Sequence, residues 1–215
     1  MDERICYFFS FLIEGLVFWN YVSILFVPKY STKIRFVCLS SGFFILFLSS
    51  LHNVFLLNCI LYTTVCFLYL IFLYKTSWYY ALFHSLLFEV LTGACELPVY
   101  SFLSTFLTSA SLRAADFHLK LLFAVMSKTL FFAVMSVLLL WLKKRQKPFL
   151  QYDKSVFFTI LIPFIAQIIV LILIAVCDST AMTAAQNRLI TTSAFFLLIV
   201  NLLIFGLNQY NQKKH

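Results

Sequence analysis

Glycine and proline, four residues each in a chain of 215, are too few for many turns, and charged residues make up only 11%. A soluble domain carries about a quarter charged residues, so a water-soluble fold is excluded. The shortage of turn formers also argues against a porin-like barrel, whose strands run roughly ten residues between turns. Cysteine is present but unpatterned: Cys6, Cys38, Cys59, Cys66, Cys95 and Cys177 lie in separate apolar stretches, with no C-x-x-C pair and no His at ligand spacing. They read as small apolar helix residues and not as a disulfide or metal framework, so no metal ligand and no cofactor is assigned. A basic n-region is lacking too, since the chain opens Met1-Asp2-Glu3-Arg4 and no small-x-small cleavage site follows. The first apolar stretch is therefore a helix and not a signal peptide.

What fills the chain is apolar bulk: 63% hydrophobic residues, 27 of them Phe, with a mean hydropathy of +0.97. The fold class expected is an all-α polytopic membrane protein. A span takes about 20 apolar residues, within roughly 17 to 25. On that ruler helices fall at 5–27, 34–50, 53–73, 78–103, 119–142, 155–177 and 188–208, about seven spans, with six as the alternative count. Pro28 and Lys29 close the first, Lys75 separates the third from the fourth, and Lys143-Lys144-Arg145 with Pro148 ends the fifth. Residues 1–208 then make one transmembrane domain, and 209–215 open a cytoplasmic linker.

The net charge of +8 reports topology and not a nucleic-acid partner, because the basic residues sit between apolar segments. Short connections rich in Lys and Arg stay cytoplasmic. Lys29, Lys33 and Arg35 occupy the connection at 28–35, Lys75 the turn at 74–77, five basic residues the connection at 143–154, and Lys213 and Lys214 the tail. The opposite side has Arg4, Arg113, Arg188 and Lys120 accompanied by Asp2, Glu3, Asp116 and Asp178. This alternation over an odd number of helices puts the N-terminus outside and the C-terminus in the cytoplasm of a multi-pass cell-membrane protein. The outer face is then the N-terminal tetrapeptide, a turn around His52, and two stretches rich in Ser, Thr and Ala, Ser104 to His118 and Asp178 to Arg188. Such short connections suit a small or amphiphilic ligand.

A charge at bilayer depth costs at least about 2.5–3.5 kcal/mol, so intramembrane ionisable groups face the bundle interior and find partners. Glu14, Glu89, Glu96 and Lys128 are the deep ones. On the fourth helix Ser85, Glu89, Thr92, Glu96 and Tyr100 recur at helical spacing as one polar stripe, and Lys120, Ser127 and Lys128 answer from the fifth. Ser10, Glu14 and Tyr21 share a face of the first helix, Asn58, Tyr62 and Tyr69 of the third, and Asn187, Thr191, Asn201 and Asn208 of the seventh. In the sixth, Pro163 leaves a carbonyl free and Gln167 follows one turn later to re-satisfy the kink. Helix level places Glu89 and Lys128 roughly 17 and 21 Å above the basic face, so they are expected to pair, with Glu96 and Lys120 meeting on the same register and Glu14 as the rival partner of Lys128. The structural alternative is that these groups only hold helices together, at about 0.6 kcal/mol per hydrogen bond. Transport along the stripe is the rival functional reading, although the interrupted helices of equivalent halves that mark a midplane substrate site are not seen.

The order of these features resembles the membrane domain of accessory-gene-regulator-type sensor kinases, GHKL-class histidine kinases that detect secreted peptides. The residues carrying the resemblance are Phe11-Leu-Ile-Glu14-Gly15, Glu89, Met126-Ser-Lys128, Leu161-Ile-Pro163 and Asn201-Leu-Leu-Ile-Phe205-Gly-Leu. It implies a sensor module of a two-component, quorum-sensing type system, homodimeric in the bilayer, that binds a secreted peptide from outside and signals through the last helix. In that family the last helix leads into a phosphoacceptor His and an ATP-binding domain. Here Asn211-Gln-Lys-Lys-His215 follows it, so the chain is expected not to be an enzyme by itself, and no catalytic residue is assigned. The peptidase that partners such kinases uses a His and a Cys seven residues apart, a spacing shared by His52 and Cys59. Their flanks lack the Arg and Gly-rich approach of that enzyme, which leaves a peptide-processing endopeptidase as the second alternative.

Overall fold

The computed structural model describes residues 2–52, 55–106 and 117–144, and six single residues, Ile165, Ile168, Ile169, Thr192, Phe196 and Ile199. Five α-helices occupy the three continuous segments: α1 (Asp2–Leu25), α2 (Thr32–Ser50), α3 (Phe55–Leu73), α4 (Trp78–Phe106) and α5 (Phe117–Lys144). Each lies within three residues of the bounds expected from apolar run length. The expected spans at 155–177 and 188–208, the linker at 209–215, and with them Pro163, Gln167 and Asn201, lie outside the described residues.

Local chemistry sets the ends. Pro28 has no amide to donate and drives its predecessor toward extended backbone, so α1 stops just before it. Ser31 is extended at φ −60°, ψ 155° and opens α2, where its carbonyl accepts from the Arg35 amide at 3.2 Å. Lys33 and Arg35 therefore belong to the first turn of α2, a correction to their placement in the connection. The α1–α2 and α3–α4 links pair with each other: the Lys29 amide donates to the Leu73 carbonyl and the Lys75 amide to the Val27 carbonyl, both at 2.9 Å. This single antiparallel bridge fixes the two links at one end of the bundle. Pro98 stands inside α4, where the missing amide leaves the Ala94 carbonyl without its helical donor.

The helices form a ring in chain order, α1 against α2, α2 against α3, α3 against α4 and α4 against α5, closed by α5 against α1. Glycine permits the close approaches. A methyl on Gly42 would meet Val65 Cγ1 at 2.8 Å, and one on Gly15 would meet the Phe43 ring at 3.3 Å, as expected of small residues where membrane helices touch. Phe18, Tyr21, Leu70, Tyr74, Phe88, Leu91 and Phe131 are fully buried in the middle.

The polarity of this ring is inverted relative to a soluble bundle. Its outward surface carries Phe9, Leu16, Phe36, Val37, Phe44, Phe72, Phe132, Val137 and Leu140, while Glu14, Arg35, His84, Ser85, Ser127 and Lys128 are buried. Exposed apolar faces with charges inside are the informative departures from the soluble pattern. Arg4–Leu25, Thr32–Ser50 and Phe117–Leu140 are long and apolar enough to cross a membrane, and Leu57–Leu73 is a shorter apolar helix. The protein is thus all-α among its described residues and fits a membrane-embedded chain.

Candidate functional site

Lys128 projects from the middle of α5 into the ring, where it is 95% buried. Its Nζ donates to Glu14 Oε1 on α1, which is equally buried, and to Glu96 Oε1 on α4 at 2.5 Å. The Glu96 side chain keeps 39% of its surface. One ammonium therefore bridges two carboxylates from two helices, and the three elements it joins are those that close the ring. Charge-assisted bonds of this kind are roughly twice as strong as neutral ones, and burial makes each depend on the other two.

Of the two partners expected for Lys128, the rival one, Glu14, is found and the first, Glu89, is not. Glu89 does not take Lys128. Its Oε2 accepts from the Thr63 hydroxyl of α3, with the Cys59 thiol alongside. Glu96, which the register assigned to Lys120, reaches Lys128. The reason is axial: α4 stands about two turns away from the level that helix arithmetic gave it relative to α5, so the carboxylate one heptad further along meets the lysine. Lys120 is half-buried near the start of α5.

Around the bridge the polar stripe resolves into local bonds. Ser85 and Thr92 return their hydroxyls to the Ala81 and Phe88 carbonyls at 2.7 and 3.0 Å, the back-bonding that helical Ser and Thr use when buried. The Asn58 side chain accepts from Ser49 at 2.9 Å and ties α3 to α2. Tyr62 is stacked on Phe88, with ring centroids 6.2 Å apart and planes 9° from parallel. Its buried hydroxyl lies near Glu14 and Thr92 but has no hydrogen-bond partner of ordinary geometry.

A second polar site lies toward the linked end of the bundle and was not anticipated from the sequence. His84 Nδ1 and Tyr21 Oη are 2.5 Å apart, both fully buried. The signal was a lone His in an apolar run, one position before the stripe residue Ser85. Between the two sites Phe18, Phe88 and Phe131 fill the axis, with ring centroids 4.8 Å apart for the first pair and 5.3 Å for the second. His52 ends the turn after α2 and Cys59 lies in α3 beside Glu89. Among the described residues no three His, Cys, Asp or Glu side chains are grouped to hold a metal ion.

These features define an all-helical protein of membrane character with a lysine-bridged carboxylate pair inside it. Compared with known proteins, the chain matches no family profile, no curated protein and no solved structure.

Proposed function

We propose that this chain is the membrane sensor module of a two-component, quorum-sensing type receptor. In this reading about seven helices cross the cell membrane, with the N-terminus outside and the C-terminus in the cytoplasm. A secreted peptide is taken at the outer helix ends, and the state passes through the last helix in a homodimer. The observation that carries the proposal is the sharing of Lys128 between Glu14 and Glu96. A receptor needs an element with two arrangements of similar energy. A lysine with two carboxylates, one of them beside the idle Tyr62 hydroxyl, has an alternative set of bonds within reach. Pro98 lies two residues beyond Glu96 and removes an amide from the turn that would otherwise fix it.

One further feature favours a receptor over a transporter, and a second supports the orientation. The Phe18, Phe88 and Phe131 layer separates the polar sites, whereas a polar solute would need a continuous path. The basic links at 26–31 and 74–77 lie together at one end, which the positive-inside tendency assigns to the cytoplasm. The resemblance to accessory-gene-regulator-type sensor kinases agrees with both.

The test uses the full chain in membranes. Peptides recovered from the culture medium of cells that make this protein, tagged with a photoreactive group and irradiated, are expected to label residues within 104–118 or 178–188. Labelling no greater than that of a scrambled peptide mixture would overturn the reading.

A further inference from the structure

Among the described residues the basic end of the bundle has no acid of its own. From residue 15 to residue 88 the sequence contains no Asp or Glu, and the paired links gather Lys29 and Lys75 close to Lys33 and Arg35 at the start of α2. Arg35 is the extreme case. It is only 8% exposed; Nη1 donates to Tyr74 Oη at 2.9 Å and Nη2 to Thr32 Oγ1 at 3.2 Å, while Nε is buried with no partner. Its guanidinium carbon stands 5.1 Å from the centre of the Trp19 ring and 5.4 Å from that of Tyr74. Aromatic faces favour a cation but do not neutralise it, and a buried charge normally finds a counter-charge.

Next to this charge runs an apolar groove of about 580 Å³ between α1 and α2, whose walls include Phe36, Leu39, Phe44 and Phe47, with Gly15 and Ser40. The two features are continuous. Phe36 meets Trp19 edge to face, with centroids 6.1 Å apart, and Trp19 lies under Arg35. Residues three and four apart share a helix face, so Lys33 and Arg35 extend by one turn the walls that Phe36 and Leu39 begin. From Phe36 to Phe47 the groove spans about 17 Å at 1.5 Å per residue, close to half of a hydrocarbon core about 30 Å thick.

We propose that this groove and the basic end together hold one anionic phospholipid, with its phosphate diester against Lys33 and Arg35 and one acyl chain along Phe36, Ser40, Phe44 and Phe47. The charge identifies the headgroup class, since a zwitterionic lipid brings no net counter-charge to an end whose described residues include no acid. The length and apolar lining identify the acyl chain.

Trp19 reports on the site directly. With Trp78→Phe and Trp141→Phe in the full chain it becomes the sole tryptophan, because the sequence has three. Reconstituted into vesicles, phosphatidylglycerol brominated on its acyl chains is expected to quench Trp19 at about thirtyfold lower mole fraction than brominated phosphatidylcholine, the preference that two basic residues near the surface supply at about fivefold each. Lys33→Gln, an exposed change that leaves the core untouched, and Arg35→Gln should each shrink that preference to about fivefold, and the two together should abolish it. Equal quenching by the two lipids would overturn the proposal, as would a preference that survives both substitutions and so reflects diffuse surface charge alone. If Arg35→Gln does not accumulate, Lys33→Gln decides alone. Inorganic phosphate added in neutral detergent without phospholipid is expected to leave Trp19 emission unchanged. A phosphate response with no lipid preference would replace the lipid by a free anion and overturn the assignment.

Discussion

Lys128 and Glu14 meet across 114 positions of sequence, and through that pair α5 is tied back to α1, closing the helix ring. The lysine also holds Glu96 on α4. Three helices thus share one buried ammonium, and removing any member leaves the others in surroundings that stabilise charge poorly.

Breaking a buried ion pair by deleting one partner costs about 3–5 kcal/mol, whereas replacing both by apolar or neutral groups is often close to neutral. Lys128→Met and Glu14→Gln are each expected to lower stability by about that amount, and the double change should recover much of it. Glu89→Gln combined with Lys128→Met should be additive, because Glu89 bonds Thr63 and not the lysine. Reversible unfolding in mixed micelles measures the cycles. A coupling energy larger for Glu89 than for Glu14 would contradict the observed pairing.

Tyr62→Phe separates the two arrangements of the bridge. Its buried hydroxyl has no hydrogen-bond partner of ordinary geometry, so deleting it should leave stability unchanged or raise it slightly, since an unsatisfied buried group costs about 1–3 kcal/mol. If Tyr62 becomes the donor to Glu14 when Lys128 lets go, the same change should reduce the ligand response while stability holds. A loss of about 1 kcal/mol or more of stability would show instead that the hydroxyl is bonded in the resting state.

Much of this architecture was legible because the bilayer dictates it. Apolar runs of span length, bounded by Pro28, Lys75 and Lys143, have few other ways to fold, and so α1 to α5 fell close to their expected limits. The cost of intramembrane charge likewise singles out Glu14, Glu89, Glu96 and Lys128 from the sequence. Glu14 was legible as one of two candidate partners for Lys128, but the choice between Glu14 and Glu89 and the bond to Glu96 were not, because helix arithmetic fixes a residue's height along its own axis and not how α4 and α1 meet α5. Arg35 was read as a loop charge because it stands at a helix end, where run length carries little information, and Trp19 and Tyr74, which enclose it, come from other elements. His84 was missed since a single His in an apolar run has no periodicity, and its partner Tyr21 lies 63 positions away.

Close helix contact at the two glycines should be graded by the space available. A methyl at Gly42 would stand 2.8 Å from Val65 Cγ1, where a β-branched side chain has little freedom to move, whereas at Gly15 the nearest atom of Phe43 is 3.3 Å away. Overpacking of this kind costs about 1–3 kcal/mol. Gly42→Ala is expected to fall in that range and Gly15→Ala below it, and Val65→Ala should rescue Gly42→Ala by making room. Thermal unfolding in detergent of the four variants gives the order, and a Gly15→Ala more harmful than Gly42→Ala would place the tight contact between α1 and α2 instead.

The proposed orientation rests on basic connections at one end and yields a test independent of any ligand. Lys29, Lys33, Arg35 and Lys75 lie at the end shared by the first and third links, and Lys143 and Lys144 end α5, with Arg145, Lys147 and Lys154 after it in the sequence. Positively charged connections stay on the cytoplasmic side because their translocation is disfavoured. Alkaline phosphatase folds only after export, so fusion after Ala114, in the connection between α4 and α5, should give activity, and fusion after Gln146 should give none. A fluorescent protein that matures only in the cytoplasm should show the reverse pattern at the same two points. If activity appeared after Gln146 and not after Ala114, the N-terminus would be cytoplasmic, the stretch at 104–118 would face the interior, and a receptor for a secreted peptide could not use it.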